Sequence, residues 1–548
     1  MLSSFIEQRL RSALETIGAP ASTHIVFENP RQAGHGHLAT TVAMTLAKEL
    51  KQSPRAIAES IVDALGKEIP FVENIEIAGP GFINVTFTPA GFHQMLHLLN
   101  VSGKSLGRSS MGVGRAVNIE YVSANPTGFL HAGHGRNCAV GDTIANLYSW
   151  CGFTVTREYY FNNAGNQMNK LGESIMVRVL QALGDSSAVF PEDGYHGDYI
   201  QTIAESLISQ HGAELTKREP SDLLAFCRKT GEQWCFAAIR STLAVLGIQH
   251  DTFFNEDSLY SDGKVKDTIA ALRSLDLVYE SEGATWLALT KLGQAQDKVI
   301  VKSSGEPTYR LPDIAYHKDK LERGYDVVVD VFGADHIATI PDVLAGVQAL
   351  GFDTQRVRVV IHQMVTFLDN GEIVKFSKRT GNAFTLDDLI EEVGADVVRF
   401  FFVMRAVGTH LEFDLSLAKE EGEKNPVFYL QYAHARICSI LRKATEKGLE
   451  ISANANLALL TDSAELQLIL SLSKFTDVVE RACDNLEPHA LCDYLRELAA
   501  SYHAFYHNCR ILGEAPDIEA ARLLLADVTR RALHNGLSIL GVAAPEQM

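Results

Sequence analysis

Two histidines three positions apart, His131 and His134, stand in the stretch Ser-Ala-Asn-Pro-Thr-Gly-Phe-Leu-His-Ala-Gly-His-Gly-Arg-Asn at 123–137. At that spacing both imidazoles can face one side of the chain and donate hydrogen bonds to the same phosphate group. Gly128, Gly133 and Gly135 leave the backbone open to a close-lying nucleotide. An arbitrary histidine pair at a helix start more often caps or packs, and a zinc pair would need a Cys, His or acid set that the neighbouring sequence lacks. A second basic feature, Lys375-Phe376-Ser377-Lys378-Arg379, begins 241 positions after His134. Lysines on a loop are by default a solvated face. They become phosphate-handling groups only if the fold brings them to the histidine loop.

Strands and helices must carry those loops. AVNIEYVSA at 116–124 is a near-continuous apolar run, the pattern of a strand buried on both faces of a parallel sheet. Val140, Ile144, Leu147 and Cys151 then share a helical face, and DVVVDVFG at 326–333 reads as a further strand. A strand, glycine-rich loop and helix in this order open a crevice at the carboxyl end of a doubly wound sheet, where anions are favoured. Asp369-Asn370-Gly371 predicts a hairpin turn leading into EIVKFSKRTGN, which puts the lysines on a loop after a strand. Helical segments between about 165 and 295 read as insertions. Residues 1–108 read as a small α+β unit, with helical patterns at Phe5 to Leu14 and 39–52 and a strand pair turned by Gly79-Pro80-Gly81. From 416 onward the pattern is helical. The expected fold class is multidomain α/β: a doubly wound parallel-sheet domain with insertions, a small α+β N-terminal domain and an all-α C-terminal domain.

The chain has 548 residues, 46% hydrophobic and 21% charged, with no run near the ~20 apolar residues that cross a bilayer. Its N-terminus has no basic start, apolar run and small-residue cleavage site, so no membrane attachment and a cytoplasmic location are expected. The eight cysteines are dispersed without a C-x-x-C pair, which argues against a disulfide framework or a zinc knuckle. A net charge of −18 excludes a protein that gathers nucleic acid by bulk attraction. It leaves room for a selective RNA binder whose acidic body rejects wrong partners.

His131-Ala132-Gly133-His134 resembles the HIGH signature of class I aminoacyl-tRNA synthetases, and Lys375-Phe376-Ser377-Lys378-Arg379 resembles their KMSKS signature, with Phe376 for methionine and Arg379 for serine. Gly333-Ala334-Asp335-His336 resembles the segment that helps seat the nucleotide. Among these enzymes the resemblance is to the arginyl-tRNA synthetases of bacterial type, and it spans essentially the whole chain. Tyr309 and Asp313 have the spacing of that family's guanidinium contacts; Glu120, Ser123 and Asn125 resemble its residues around the amino acid, and Glu256 a further acidic contact. The resemblance implies ATP with Mg2+, L-arginine and tRNA(Arg) as partners, no protein-bound zinc, and a monomer. It implies catalytic roles for His131, His134, Lys375 and Lys378, and ATP contacts from Gly128, Gly133, Gly333, Asp335, His336 and Ser377.

The implied division is a tRNA-elbow domain at 1–108, a Rossmann-like catalytic domain at 109–415 and an anticodon-binding domain at 416–548. Phe82 and Asn84 would meet an extruded base in the first. Tyr432, Arg436 and Met548 would neighbour the anticodon in the last, where 11 Lys/Arg against 15 Asp/Glu over 425–548 favour stacking over phosphate clamps. A cysteine-specific enzyme of this class would offer zinc-ligand cysteines, and a glutamate-specific one a basic pocket. A catalytically silent relative would have lost the phosphate loops, and a stand-alone adenylate-forming ligase has no use for the helical C-terminal region.

Overall fold

The computed structural model describes residues 2–28, 30, 34–66, 68–163, 165–374 and 384–548. Lys375, Phe376, Ser377, Lys378 and Arg379 lie outside the described residues.

The N-terminal part is an antiparallel sheet of β1 (Phe27–Glu28), β2 (Leu38–Thr40), β3 (Val72–Ala78) and β4 (Phe82–Phe87), ordered β1-β2-β4-β3. Helix Pro54–Leu65 buries Ile57, Ala58, Ile61 and Leu65 on one stripe, and its start is fixed by Ser53, whose hydroxyl accepts from the Ala56 amide, with proline in the first turn. Helix Pro89–Val101 starts the same way, on Thr88. Its face of Phe92, Met95, Leu96 and Leu99 joins the main core and packs on helix Ser463–Ser473 near the other end of the chain.

The central sheet is parallel throughout: β5 (Ala116–Glu120), β6 (Thr154–Phe161), β7 (Thr252–Asn255), β11 (Val327–Gly333) and β12 (Val357–His362), in the order β12-β11-β5-β6-β7. The chain moves from β5 out through β6 and β7, then crosses back to β11 and β12, so the strand order reverses between β5 and β11. A crevice opens at the carboxyl ends on either side of that reversal. Of the runs expected as strands at 116–124 and 326–333, residues 116–120 and 327–333 are strand, and the first ends early because Val122 and Ser123 turn into left-handed backbone. The segment at 165–295 holds more than helices. TFFN at 252–255 is a fifth strand of the main sheet, too short to show a period, and β8 (Val278–Ser281), β9 (Ala284–Leu287) and β10 (Lys298–Val301) make a separate antiparallel sheet. The hairpin at Asn370-Gly371 is present between β13 (Val365–Asp369) and β14 (Glu372–Ile373), with φ of 49° and 81° at its two turn residues. β13 pairs in parallel with β15 (Leu411–Asp414) on its other side.

After β15 come five long helices, Pro426–Glu446, Ser463–Ser473, Phe475–Asn485, His489–Asn508 and Pro516–Leu540. They are fastened to the central sheet by a buried guanidinium. Arg399 donates from Nε to the Leu540 carbonyl (2.9 Å), from one terminal nitrogen to the Leu246 carbonyl (2.7 Å) and from the other to Asp142 Oδ2 (2.5 Å). Asp142 also accepts from the Tyr121 hydroxyl at 3.2 Å, directly after β5. Removing the guanidinium takes the donor from two carbonyls and the nearest cation from a buried carboxylate that keeps Tyr121, Asn146 and Arg157 beside it, a loss of about 3 kcal/mol. Arg399→Ala should therefore lower the unfolding free energy extrapolated from urea titration by that amount, whereas exposed Lys424→Ala should leave it within about 0.5 kcal/mol.

Candidate active site

The loop from β5 to helix His134–Trp150 is held from below. Val122 and Ser123 adopt left-handed backbone, φ 70° and 45°, which a β-branched residue takes only under constraint. The constraint is Asn137. Its side-chain oxygen accepts from the Val122 amide at 2.6 Å, and its NH2 donates to the Val331 carbonyl at 2.8 Å and meets His362 Nε2 at 3.3 Å. One side chain thus ties β5, β11 and β12 together at the crevice. Gly133 lacks a Cβ where one would press on the His131 ring at 2.8 Å, so His131 folds over it and stacks on His134, centroids 3.7 Å apart.

The His131 backbone amide donates to His134 Nδ1 at 3.1 Å, which leaves Nε2 as the protonated nitrogen of a neutral His134 ring. Burial, reinforced by His131 and His362, lowers the His134 pKa to about 3. Burial also lowers His131 and His362. Across the strand reversal, Gly333 pairs with His362, and His336 stacks on Phe332 at 4.9 Å with Asp335 exposed beside it. His131, His134, Gly133, Gly333, Asp335 and His336 therefore share one crevice with His362. Gly128 packs its Cβ side on a phenol: a Cβ there would come within 3.1 Å of the Tyr199 hydroxyl.

The chain that follows the lysine segment returns to this loop. The Ala132 amide donates to the Phe384 carbonyl (3.0 Å), the Leu386 amide donates to the Leu130 carbonyl (2.7 Å), and His131 and Thr385 form an antiparallel bridge.

On the sheet face packed by helix Arg310–Glu322 the side chains are acidic. Glu120, 3% exposed, accepts from the Ser123 hydroxyl at 3.0 Å and from Lys320, which is buried between Glu120 and Asp330. Glu256 accepts from Tyr160 (2.7 Å) and Tyr260 (3.5 Å). Asp313 has no hydrogen bond or ion pair through its carboxyl among the described residues. Burial pushes its pKa to about 7, with Glu120 and Glu256 adding to the rise against the pull of His317. Lys320 is taken up by Glu120 and Asp330, and Glu256 and Asp313 have no ion-pair partner among the described residues. Asn125 braces two loops, accepting from the Asn162 amide at 3.0 Å and donating to Gln167 at 2.9 Å. Tyr309, one turn before Asp313, is 83% exposed and stands outside this enclosed group.

The more distant residues separate into two kinds. Arg436 lies between the rings of Tyr432 (4.6 Å) and Tyr506 (4.8 Å), with His503 beside Tyr432, in a half-exposed aromatic and cationic patch on helices Pro426–Glu446 and His489–Asn508. Met548 is 56% exposed at the end of a tail fastened to the first of these helices by His434, which meets the Pro545 carbonyl at 2.9 Å. In the N-terminal sheet Phe82 is half-buried, but Asn84 is only 5% exposed. It sits on the central strand, paired with Ala39 on one side and Glu76 on the other, so the expected open contact with a base is not presented.

Sequence reasoning missed Asn137, His362, Lys320 and Tyr506. A histidine ending the apolar strand VRVVIH was a legible sign for His362. Lys320 carried none, because its partners lie on β5 and β11, far from it in the sequence or hidden in an apolar run. Among the described residues no group of three or more His, Cys, Asp or Glu side chains is arranged to hold a metal ion, and no helix is long and apolar enough to cross a membrane.

Residues 97–399 match the family model of the class I (R) tRNA synthetase catalytic domain. Residues 4–87 match the arginyl tRNA synthetase N-terminal domain, and 430–548 the DALR anticodon binding domain. Arginine–tRNA ligases of Salinibacter ruber and Pelodictyon phaeoclathratiforme are each 46% identical to the chain, with all of both proteins covered. The structure of Thermus thermophilus arginyl-tRNA synthetase superposes with a TM-score of 0.80 at 22% identity, over all of both chains. The chain belongs to the arginyl-tRNA synthetase family.

The state of His134 can be checked directly. Nitrogen-detected NMR should show its Nδ1 bare and Nε2 protonated across pH 5–8. An unfolded imidazole takes up a proton near pH 6.5 that the folded one refuses until about 3, so this residue removes stability as the pH falls through that window. His134→Gln should make the stability profile shallower between pH 6 and pH 4.

Proposed function

We infer that this chain is an arginine–tRNA ligase. It activates L-arginine with ATP, giving arginyl-adenylate and pyrophosphate, and then transfers the arginyl group to the 3′-terminal adenosine of tRNA(Arg), releasing AMP. The observation that carries the choice of amino acid is the pair Glu256 and Asp313, two carboxylates without an ion-pair partner among the described residues. A guanidinium supplies the missing charge and a planar set of donors. A neutral or acidic side chain would leave the pocket uncompensated.

The reaction needs positioning and charge stabilisation and no covalent nucleophile on the protein. Helix His134–Trp150 points its N-terminus at the crevice. His131 and His134, neutral in the free protein, offer N–H donors to the triphosphate, and Gly133, Gly333, Asp335 and His336 line the remaining nucleotide contacts. Neutral imidazoles cannot balance a polyphosphate. That charge is left to Lys375 and Lys378, with Ser377 between them, and to magnesium carried in on the phosphate oxygens of ATP. Phe384 is six positions after Lys378, so the covalent chain alone limits their separation to about 20 Å. Glu120, Ser123 and Asn125 shape the arginine end, with Tyr309 at its rim.

The patch of Tyr432, Arg436 and Tyr506, with Met548, is the proposed anticodon surface, and Phe82 the proposed elbow contact, since unpaired bases stack on such rings. The proposed division into functional units is 1–108, 109–415 and 416–548, acting as a cytoplasmic monomer.

Charging total tRNA with each amino acid in turn tests reaction and substrate together: arginine alone should be attached, and attachment of any other would overturn the reading. Lys378→Ala should lower kcat about a hundredfold or more while the arginine KM changes little. Asp313 binds a cation only when ionised. The KM for arginine should therefore rise about tenfold from pH 8 to pH 6, and Asp313→Asn should raise it at both and flatten the dependence.

A further inference from the structure

Residues 129–132 run extended beside Thr385, and their side chains alternate. Leu130 and Ala132 enter the core, at 1% and 3% exposed, while Phe129 and His131 point outward. Side chains two apart in an extended segment share a face at about 6–7 Å spacing. Phe129 therefore opens on the same side as the reactive imidazole.

It is 42% exposed, and it is not loose. Its ring meets Tyr199 at 5.7 Å and Trp234 at 5.4 Å, both T-shaped at about 70°, while Tyr199 and Trp234 lie nearly parallel to each other at 5.8 Å. The Tyr199 hydroxyl donates to the Thr127 carbonyl at 2.6 Å, and Gly128 lets the turn rest on that phenol. The phenylalanine is thus held rigidly by two rings from helices Asp198–His211 and Pro220–Val245, and neither ring lies parallel to it. An exposed aromatic fixed in this way gains from a planar partner that removes its face from water.

The position selects the partner. The nucleotide crevice lies on the β11 side of β5, and the guanidinium has the carboxylates. Tyr199 and Trp234 come from the insertion between β6 and β7, on the opposite side of β5 from β11. The remaining planar groups that must reach this loop are the unpaired bases at the tRNA 3′ end. We propose that Phe129, backed by Tyr199 and Trp234, is a stacking platform for an unpaired base of the tRNA acceptor end. The proposal rests on the arginine–tRNA ligase reading and adds to it a residue that receives the RNA next to the reacting atoms. Stacking of a base on an aromatic ring tolerates sequence, which suits the unpaired end of an acceptor arm.

The test is steady-state charging of a tRNA(Arg) transcript by the full chain and by Phe129→Ala, Phe129→Leu and Phe129→Trp. The first two should lower kcat/KM for tRNA about tenfold, with KM for ATP and arginine within about twofold of wild type, and Phe129→Trp should retain activity. Transcripts carrying 2-aminopurine at the terminal position or next to the acceptor stem should show fluorescence quenching on binding, at one position or the other, that Phe129→Ala relieves. Activity of Phe129→Leu equal to wild type would mean that the ring only fills space, and the platform would be rejected. A rise in the ATP KM in place of the tRNA effect would assign the ring to ATP, and quenching unchanged in Phe129→Ala would also refute it. Failure of the wild-type protein to charge arginine would instead remove the underlying reading.

Discussion

The backbone pairing of Leu130 and Ala132 with Leu386 and Phe384 is the constraint on which the site depends. It joins two parts of the chain more than 250 residues apart in sequence. On one side of it are the stacked imidazoles; on the other is the exit of the segment that carries the lysines. Without it, the histidine loop would end a strand with nothing to oppose it. The pairing is made of main-chain groups, so it depends little on which side chains occupy 384 and 386. It does depend on the capped start of helix Leu386–Val393, where Thr385 and Asp388 satisfy each other's backbone amides.

Around that junction the imidazoles and the carboxylates occupy different parts of the sheet. Toward β11 the protein keeps imidazoles neutral through burial and mutual proximity, so an incoming polyanion meets directional donors. On the sheet face toward helix Arg310–Glu322 it holds a buried group of carboxylates and pairs only some of them with cations among the described residues. Lys320 neutralises Glu120 and Asp330, and Arg323 holds Glu158 through both guanidinium nitrogens at 2.5 and 2.8 Å. Glu256 and Asp313 are left over. In the proposed reading this remainder selects a cationic substrate, because a buried carboxylate with no cation among the described residues favours a ligand that brings one.

Much of this was legible in residue order. The histidine pair, its glycines and the buried strand before them were visible because strand, loop and helix are contiguous. The Asn370-Gly371 turn was visible because only a few residues accept its backbone. The acids Glu120, Glu256 and Asp313 could be named by resemblance, but no periodicity shows which of them Lys320 would claim. Asn137 looked like an ordinary helix residue, and its work on Val122, Val331 and His362 exists only once three strands are side by side. β7 escaped notice because four residues are fewer than a period-two pattern needs. Asn84 was misjudged for the opposite reason: alternation along β4 gives the face it is on and says nothing of how closely β2 and β3 flank it.

Helix Pro89–Val101 has its own implication for how the molecule is put together. It follows the N-terminal sheet in sequence yet lies against the last helices, where Arg531 donates to Asn100 and Asn535 to the carbonyls of Lys104 and Leu106. The first hundred residues therefore close over a surface synthesised last. A chain still emerging from the ribosome must keep Phe92, Met95 and Leu96 waiting until residues beyond 460 arrive, which makes this seam a late event in biogenesis.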